Sequence, residues 1–158
     1  MTGWRIGYCG GPAEVVAAMA TIQGQSTSNA SSISQKAATV ALNAPQDCVA
    51  EMNRAFKARH DLVVAGLNAL PGVRCIPGWG TFYAFAHVEQ AMQDVGVADD
   101  NAFAEFLINE AGVAIVPGSA FGAPGYFRLS FAAATDTLKD ALGRMQRALA
   151  GARARKRA

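Results

Sequence analysis

Glycine and proline residues divide this 158-residue chain into short segments, and most of the strand-like segments come after residue 72. Before that point the pattern is mainly helical, with apolar side chains at three- and four-residue steps. Runs of strands with helices to one side are typical of α+β folds. The order therefore predicts a mainly antiparallel sheet of three or four strands, covered by helices on one face.

The boundaries of the elements follow from capping residues and turns. Asp99 or Asp100 is suited to cap a helix through Glu110, and Gly112 to end it. The turn 77–80 contains Trp79, which we interpret as a packed hairpin side chain, with an exposed contact surface as the alternative. The predicted helices are 13–25, 33–42, 46–70, 99–110 and 135–150, and the predicted strands are 4–8, 73–76, 81–88, 113–116 and 126–131. The basic tail 151–158 is predicted to be disordered.

Composition narrows the classes of function. Hydrophobic residues make up 51% and charged residues 16%, a balance typical of a folded domain with a core. The net charge of +2 gives no argument for a nucleic-acid or membrane partner. The three cysteines form no C-x-x-C pair, so they predict reduced thiols in a cytoplasmic protein and no metal site. No apolar run approaches the roughly 20 residues that span a bilayer.

The predicted strand 4–8 has no obvious partner within the chain. A buried strand without a neighbour leaves its backbone N–H and C=O groups unpaired, which is costly. We therefore expect this strand to join a sheet that is built elsewhere.

Two arginines stand in apolar strand contexts, Arg5 in the segment 4–8 and Arg128 in the segment 126–131. A guanidinium buried without an anion is costly, and its planar fork fits a carboxylate or a phosphate. An outward-facing arginine on a half-exposed strand explains the same pattern. The residues alone leave both interpretations open.

Several motifs occur together and in order. They are Met1-Thr2-Gly3-Trp4-Arg5-Ile6-Gly7-Tyr8, Gln25-Ser26-Thr27-Ser28-Asn29, Gly80-Thr81-Phe82-Tyr83-Ala84-Phe85, the stretch 112–122 and Phe127-Arg128-Leu129-Ser130-Phe131-Ala132. This set resembles the class I aminotransferases of the aspartate aminotransferase kind, which have fold type I. The likeness extends to about Ala150 and corresponds to the C-terminal portion of such an enzyme, beginning just after the cofactor lysine.

The resemblance implies a fold, a cofactor and roles for two residues. The cofactor is pyridoxal 5'-phosphate, and the reaction moves an amino group from an L-amino acid, by default aspartate, to a 2-oxo acid. Arg5 matches the family arginine that binds the cofactor phosphate, and Arg128 matches the arginine that binds the substrate α-carboxylate. Ser119 and Phe121 match the loop before Arg128 and are interpreted as shaping it.

The resemblance also implies an absence. The family lysine that forms a Schiff base with the cofactor precedes the segment matched by Met1, and none of Lys36, Lys57, Lys139 and Lys156 lies in that context. No catalytic residue is therefore predicted in this chain, which is expected to be inactive alone and to bind the cofactor poorly, if at all.

The predicted organisation has three parts. Residues 1–44 form a remnant of the large cofactor-binding domain with the dimer connector, residues 45–150 form the small domain, and 151–158 form the tail. A homodimer or self-association is expected. Two alternatives stay open: a non-catalytic assembly module that needs a complementary chain, and an anion-binding module that uses Arg5.

Overall fold

The computed structural model describes residues 1–157. The chain divides into two compact units, Met1–Cys48 and Val49–Ala158, so the boundary lies four residues beyond the predicted one. No helix among the described residues is long and apolar enough to cross a membrane. The assignment of the first unit to a large cofactor-binding domain stays a prediction.

The first unit contains helices α1 (Ala13–Ser26) and α2 (Ser32–Asn43). Both lie close to the predicted ranges. Their surfaces are mostly exposed, and Ser34 is the one residue of either helix that is buried. Its hydroxyl donates to the backbone oxygen of Trp4 at 2.9 Å, which fixes the N-terminal segment against α2.

The predicted strand 4–8 is wrong. Residues Thr2–Trp4 form a single 3-10 turn, and Arg5 ends it in the left-handed region with φ of 49°. Residues 1–48 contain no strand, so this segment has no ladder to join. An extended backbone is held by its neighbours' hydrogen bonds, and without them a local turn satisfies the backbone better.

The second unit contains the sheet and the remaining helices. The helices are α3 (Asp47–Asn68), which begins two residues before the unit boundary, α4 (Glu89–Val95), α5 (Asp100–Ala111) and α6 (Thr135–Arg157). The strands are β1 (Arg74–Cys75), β2 (Tyr83–His87), β3 (Val116–Pro117) and β4 (Tyr126–Ser130). The strand order is β1-β2-β4-β3, and every pairing is antiparallel. The predicted α+β class with a four-stranded antiparallel sheet is confirmed.

Strand alternation separates the two faces of the sheet. Ala84 and Ala86 of β2 are buried, and so are Phe127 and Leu129 of β4. These side chains pack with apolar residues of the helices in one continuous core, whose largest fully buried members are Phe103, Phe127, Phe131, Leu67, Leu107, Met145, Leu149, Val63 and Val88. The intervening side chains of β2 and β4 point to the opposite face.

The turn that joins β1 to β2 is anchored by a histidine. The backbone N–H of Gly78 donates to Nε2 of His60 at 3.1 Å. Nε2 therefore acts as the acceptor, and a neutral ring carries its proton on Nδ1, which lies 2.9 Å from Asp61 Oδ1. Trp79 is fully exposed, with a relative accessibility of 106%, so its interpretation as a packed side chain is wrong. Its neighbour Gly78 holds the turn, and the indole projects outward.

The C-terminal helix is longer than predicted. α6 continues through the basic segment to Arg157, where the sequence predicted an end near Ala150 and a disordered tail. The basic side chains explain the difference, because they reach acceptors on other helices. Arg153 pairs with Asp94 at 3.1 Å, Arg155 with Glu110 at 3.4 Å, and Lys156 donates to the backbone oxygen of Gln93. Ala158 lies outside the described residues.

Candidate substrate-carboxylate site

Arg128 lies at the centre of the open face of the sheet. In β4 it stands opposite Phe85 of β2 and opposite Val116 of β3. Because side chains alternate along a strand, Tyr83, Phe85 and His87 share this face with Tyr126 and Arg128. The predicted interpretation of Arg128 as a residue in a strand is confirmed.

Two aromatic rings flank the guanidinium of Arg128. Its Cζ lies 4.2 Å from the centre of the Tyr83 ring and 4.6 Å from the centre of the Phe121 ring. Both distances are within the range of an attractive cation–π interaction, which restricts where the guanidinium can lie. Further aromatic contacts continue the surface: Phe85 stacks on Tyr126 at 5.1 Å, and Phe85 meets Phe121 edge-on at 6.2 Å.

No acidic side chain among residues 1–157 lies within ion-pair distance of Arg128. The seven ion pairs of the described chain involve other groups. Since an arginine cannot lose its charge in a protein, this half-buried cation keeps its hydrogen-bond donors available for an anion. Its planar fork fits a carboxylate or a phosphate with two parallel hydrogen bonds.

Phe121 reaches Arg128 from a short loop, Gly118–Phe121, which forms a 3-10 turn after β3. The start of this loop lies against β4. A Cβ atom at Gly118 would come within 2.7 Å of the Tyr126 Cβ and 2.8 Å of its backbone oxygen, so only glycine fits there.

The other predicted binding residue, Arg5, lies in the first unit. Its side chain is exposed and donates to the backbone oxygen of Thr2 at 3.4 Å. A cleft of about 800 Å³ in the same unit is lined by Ile6 and Gly7 together with side chains of α2, among them Gln35 and Thr39. Arg5 is not among the residues that line this cleft.

The remaining titratable groups form no metal centre. No group of three or more histidine, cysteine, aspartate or glutamate side chains within residues 1–157 could hold a metal ion. His87 contacts Glu89 at 3.3 Å, and His60 supports the β1–β2 turn, so both histidines have structural partners. The pKa of Asp61 lies below its ordinary value. The largest cause is the hydrogen bond from Lys57, and the hydrogen bond from His60 is the next largest.

Comparison with known proteins decides the family. The family profile "Aminotransferase class I and II" matches residues 1–144. The chain belongs to the class I and II aminotransferases. The predicted resemblance is confirmed, and so is its extent over nearly the whole chain.

Individual aminotransferases agree in sequence and in structure. The chain is 48% identical to an aspartate/prephenate aminotransferase of Nitrosomonas europaea, over 92% of this chain and 38% of the relative. The crystal structure of an aspartate aminotransferase from Rhizobium meliloti superposes with a TM-score of 0.82 at 46% identity, covering 95% of this chain and 39% of the other. An aromatic aminotransferase from Pyrococcus horikoshii superposes with a TM-score of 0.81 at 35% identity, covering 96% and 40%. This chain thus spans less than half the length of the relatives it matches.

Sequence reasoning found Arg128 and the loop with Ser119 and Phe121, but it missed two other residues of the site. Tyr83 is not among the site residues that the sequence predicts, although its two-residue spacing from Phe85 places it on the same face of β2. For Asp100 the sequence predicts only a role as a helix cap. Its carboxyl group accepts a hydrogen bond from the backbone N–H of Ser119 at 2.6 Å. The two residues are 19 positions apart, and no local sequence pattern predicts their contact.

Proposed function

We propose that this chain is the C-terminal, substrate-carboxylate-binding portion of a pyridoxal-phosphate-dependent aminotransferase of the aspartate aminotransferase kind. The observation that supports this most is the Arg128 guanidinium, fixed between Tyr83 and Phe121 and without an acidic partner in the described chain. In this proposal Arg128 binds the α-carboxylate of the amino acid and of the 2-oxo acid. Aspartate is the default donor, since the relatives include aspartate aminotransferases.

In this proposal Arg5 is the residue of the described chain that holds the phosphate of the cofactor. Arg5 is exposed, forms no ion pair among the described residues, and donates one long hydrogen bond to Thr2, so its guanidinium is free to bind a phosphate. When bound, pyridoxal phosphate supplies an electron-withdrawing ring that stabilises negative charge at the substrate α-carbon. The contribution of this chain is to bind and orient: Arg5 the phosphate and Arg128 the carboxylate. Without the Schiff-base lysine, we expect no transamination by the chain alone.

The test measures carboxylate binding at Arg128 directly. Succinate is titrated into the 15N-labelled chain, and the side-chain Nε–Hε signal of Arg128 is followed by NMR. We expect a saturable shift with succinate and none with succinamide, which has no negative charge. Arg128→Gln abolishes the binding, and Arg128→Lys weakens it about tenfold because lysine lacks the planar fork. Equal binding of succinate by wild type and Arg128→Gln contradicts the proposal.

A second candidate function, a non-catalytic assembly module, is favoured by the surface of the first unit. α1 contains no buried residue, and its apolar side chains Val15, Met19 and Ile22 are 49–68% exposed. Apolar groups in such numbers on a surface commonly mark an interface. Light scattering across a dilution series tests this proposal. A homodimer or larger assembly supports it, and a monomer that binds no hydrophobic dye contradicts it.

A further inference from the structure

The loop that contains Phe121 is hydrogen-bonded to a buried carboxyl group on another element. Asp100, the first residue of α5, is 2% exposed, and one of its oxygens accepts from the backbone N–H of Ser119 at 2.6 Å. Asn101 adds a longer contact, from its side-chain nitrogen to the Ser119 hydroxyl at 3.4 Å. The loop is thus tied at its second residue to the N-terminus of α5.

α5 itself is fixed within the core. Phe103 and Leu107, one and two turns after Asp100, are fully buried, and Phe103 packs with its ring centre 6.3 Å from that of Phe127 in β4. A buried group that hydrogen-bonds across two elements holds them in one arrangement, because an unpaired donor or acceptor in that place is costly. The position of Asp100 relative to the sheet is therefore set by packing that does not depend on the loop.

Phe121 has little else to hold it. Its side chain is 48% exposed, and its contacts on the open face are with Arg128 and Phe85. A ring that is half exposed stays over a guanidinium only when its backbone is restrained. The restraint comes from Ser119, two residues earlier, and from the close approach of Gly118 to β4.

We infer that Asp100 is a positioning residue for the carboxylate site, acting through the Ser119 N–H to hold Phe121 against the Arg128 guanidinium. This inference rests on the proposed role of Arg128 in carboxylate binding. Asp100 forms no ion pair with the Arg128 guanidinium and acts through the loop instead. Its effect is to limit the orientations of the Arg128 fork before the carboxylate arrives, which lowers the ordering cost of binding.

A neighbouring aspartate supplies a matched control. Asp99 caps α5 by accepting from the backbone N–H of Ala102 at 2.8 Å, and its side chain forms no hydrogen bond with residues 118–121. Replacing either aspartate weakens the start of the same helix, but of the two only Asp100 is hydrogen-bonded to Ser119. A comparison of Asp100→Ala with Asp99→Ala therefore separates positioning of the loop from stabilisation of the helix.

The experiment uses the 15N-labelled chain and two readouts, the shift of the Arg128 Nε–Hε signal caused by the flanking rings and the affinity for succinate. We expect Asp100→Ala to move the signal toward that of an exposed arginine and to weaken succinate binding about three- to tenfold. Phe121→Leu should reproduce both effects. Asp100→Asn should restore both readouts, since its amide oxygen still accepts from Ser119. Asp99→Ala should lower the melting temperature and change neither readout.

Three outcomes overturn the inference. One is an Asp100→Ala chain with an unchanged Arg128 signal and unchanged affinity. Another is an Asp99→Ala chain that changes both readouts as much as Asp100→Ala does. The third is an Asp100→Asn chain that behaves like Asp100→Ala. If Asp100→Ala does not fold, Asp100→Ser replaces it, because serine is favourable at a helix start and its hydroxyl is too short to reach Ser119. If wild type binds no succinate, the proposed function fails, and the ring-induced shift still tests the role of Asp100.

Discussion

At the scale of single residues, Cys75 differs from the other two cysteines. It is 4% exposed in β1, whereas Cys9 and Cys48 are exposed. Burial raises the pKa of the Cys75 thiol, and a backbone hydrogen bond at Phe85 opposes this in part. Since the thiolate is the reactive form, we expect Cys75 to react slowly with thiol reagents, because it is buried and because its thiol stays protonated.

Titration with Ellman's reagent should detect two fast thiols in the folded chain and a third after addition of denaturant. Three fast thiols in the native chain would show that β1 is open in solution.

The raised pKa of Cys75 also makes the free energy of unfolding depend on pH. Below the ordinary thiol pKa the group is protonated in both the folded and the unfolded chain, so it does not change the free energy of unfolding. As the pH rises through that value, the thiol of the unfolded chain ionises first, and the free energy of unfolding falls. Cys75→Ala should reduce this alkaline loss.

The two arginines show what single residues reveal in the sequence and what they do not. Both have the same apolar context, yet Arg128 lies in a paired strand and Arg5 in a left-handed turn. The alternation of buried and exposed side chains around Arg128 predicts a strand, and this strand finds its partners within the chain. The context of Arg5 predicted a strand whose partner the chain does not contain, so local pattern alone could not fix its backbone.

At the scale of elements, α5 was predictable at both ends because its signals are local. Asp99 accepts from Ala102 at its start, and Gly112 ends it with φ of 59°, donating to the Ile108 and Leu107 oxygens. The C-terminal end of α6 was not predictable in this way. Its basic side chains look like a solvated tail until the tertiary fold brings Asp94 and Glu110 beside them.

Two helical glycines should respond oppositely to alanine. A Cβ at Gly143 in α6 would lie no closer than 3.6 Å to any neighbour, so Gly143→Ala should stabilise the chain by up to about 1 kcal/mol through helix propensity. A Cβ at Gly66 in α3 would come within 2.5 Å of Leu142, so Gly66→Ala should be destabilising by about 1–3 kcal/mol.

Urea unfolding of both variants and wild type provides the measurement, with the slope required to be unchanged. A stabilised Gly66→Ala would mean that Leu142 moves away freely and that α3 and α6 are not tightly packed at this point. A destabilised Gly143→Ala would place an unseen neighbour at that face of α6.

At the scale of the whole molecule, the buried core belongs to one unit. All of its members lie between Val63 and Leu149, and the first unit contains hydrogen-bonded helices with almost no buried side chains. Local stability follows buried contacts, so the two units should open with very different free energies. The α+β class was predictable because it depends on the order of segments, whereas the exposure of the first unit depends on what covers it.

Hydrogen–deuterium exchange should display this difference. Amides of α1 and α2 should exchange within the time of a short pulse, while those of β2, β4 and the centre of α5 should be protected until global unfolding. Uniform protection across both units would contradict the expectation and would indicate that the first unit is covered in solution, for example by a second copy of the chain.

The chain has two tryptophans, Trp4 in the first unit and Trp79 in the β1–β2 turn of the second. Trp4 is 48% exposed and Trp79 fully exposed, so native emission should already resemble that of water-solvated indole. Fluorescence is therefore a poor monitor of unfolding here, and a blue shift reports contact with something else. With Trp4→Phe and Trp79→Phe, each unit carries its own optical probe, and the wavelength of the remaining indole identifies which surface a partner covers.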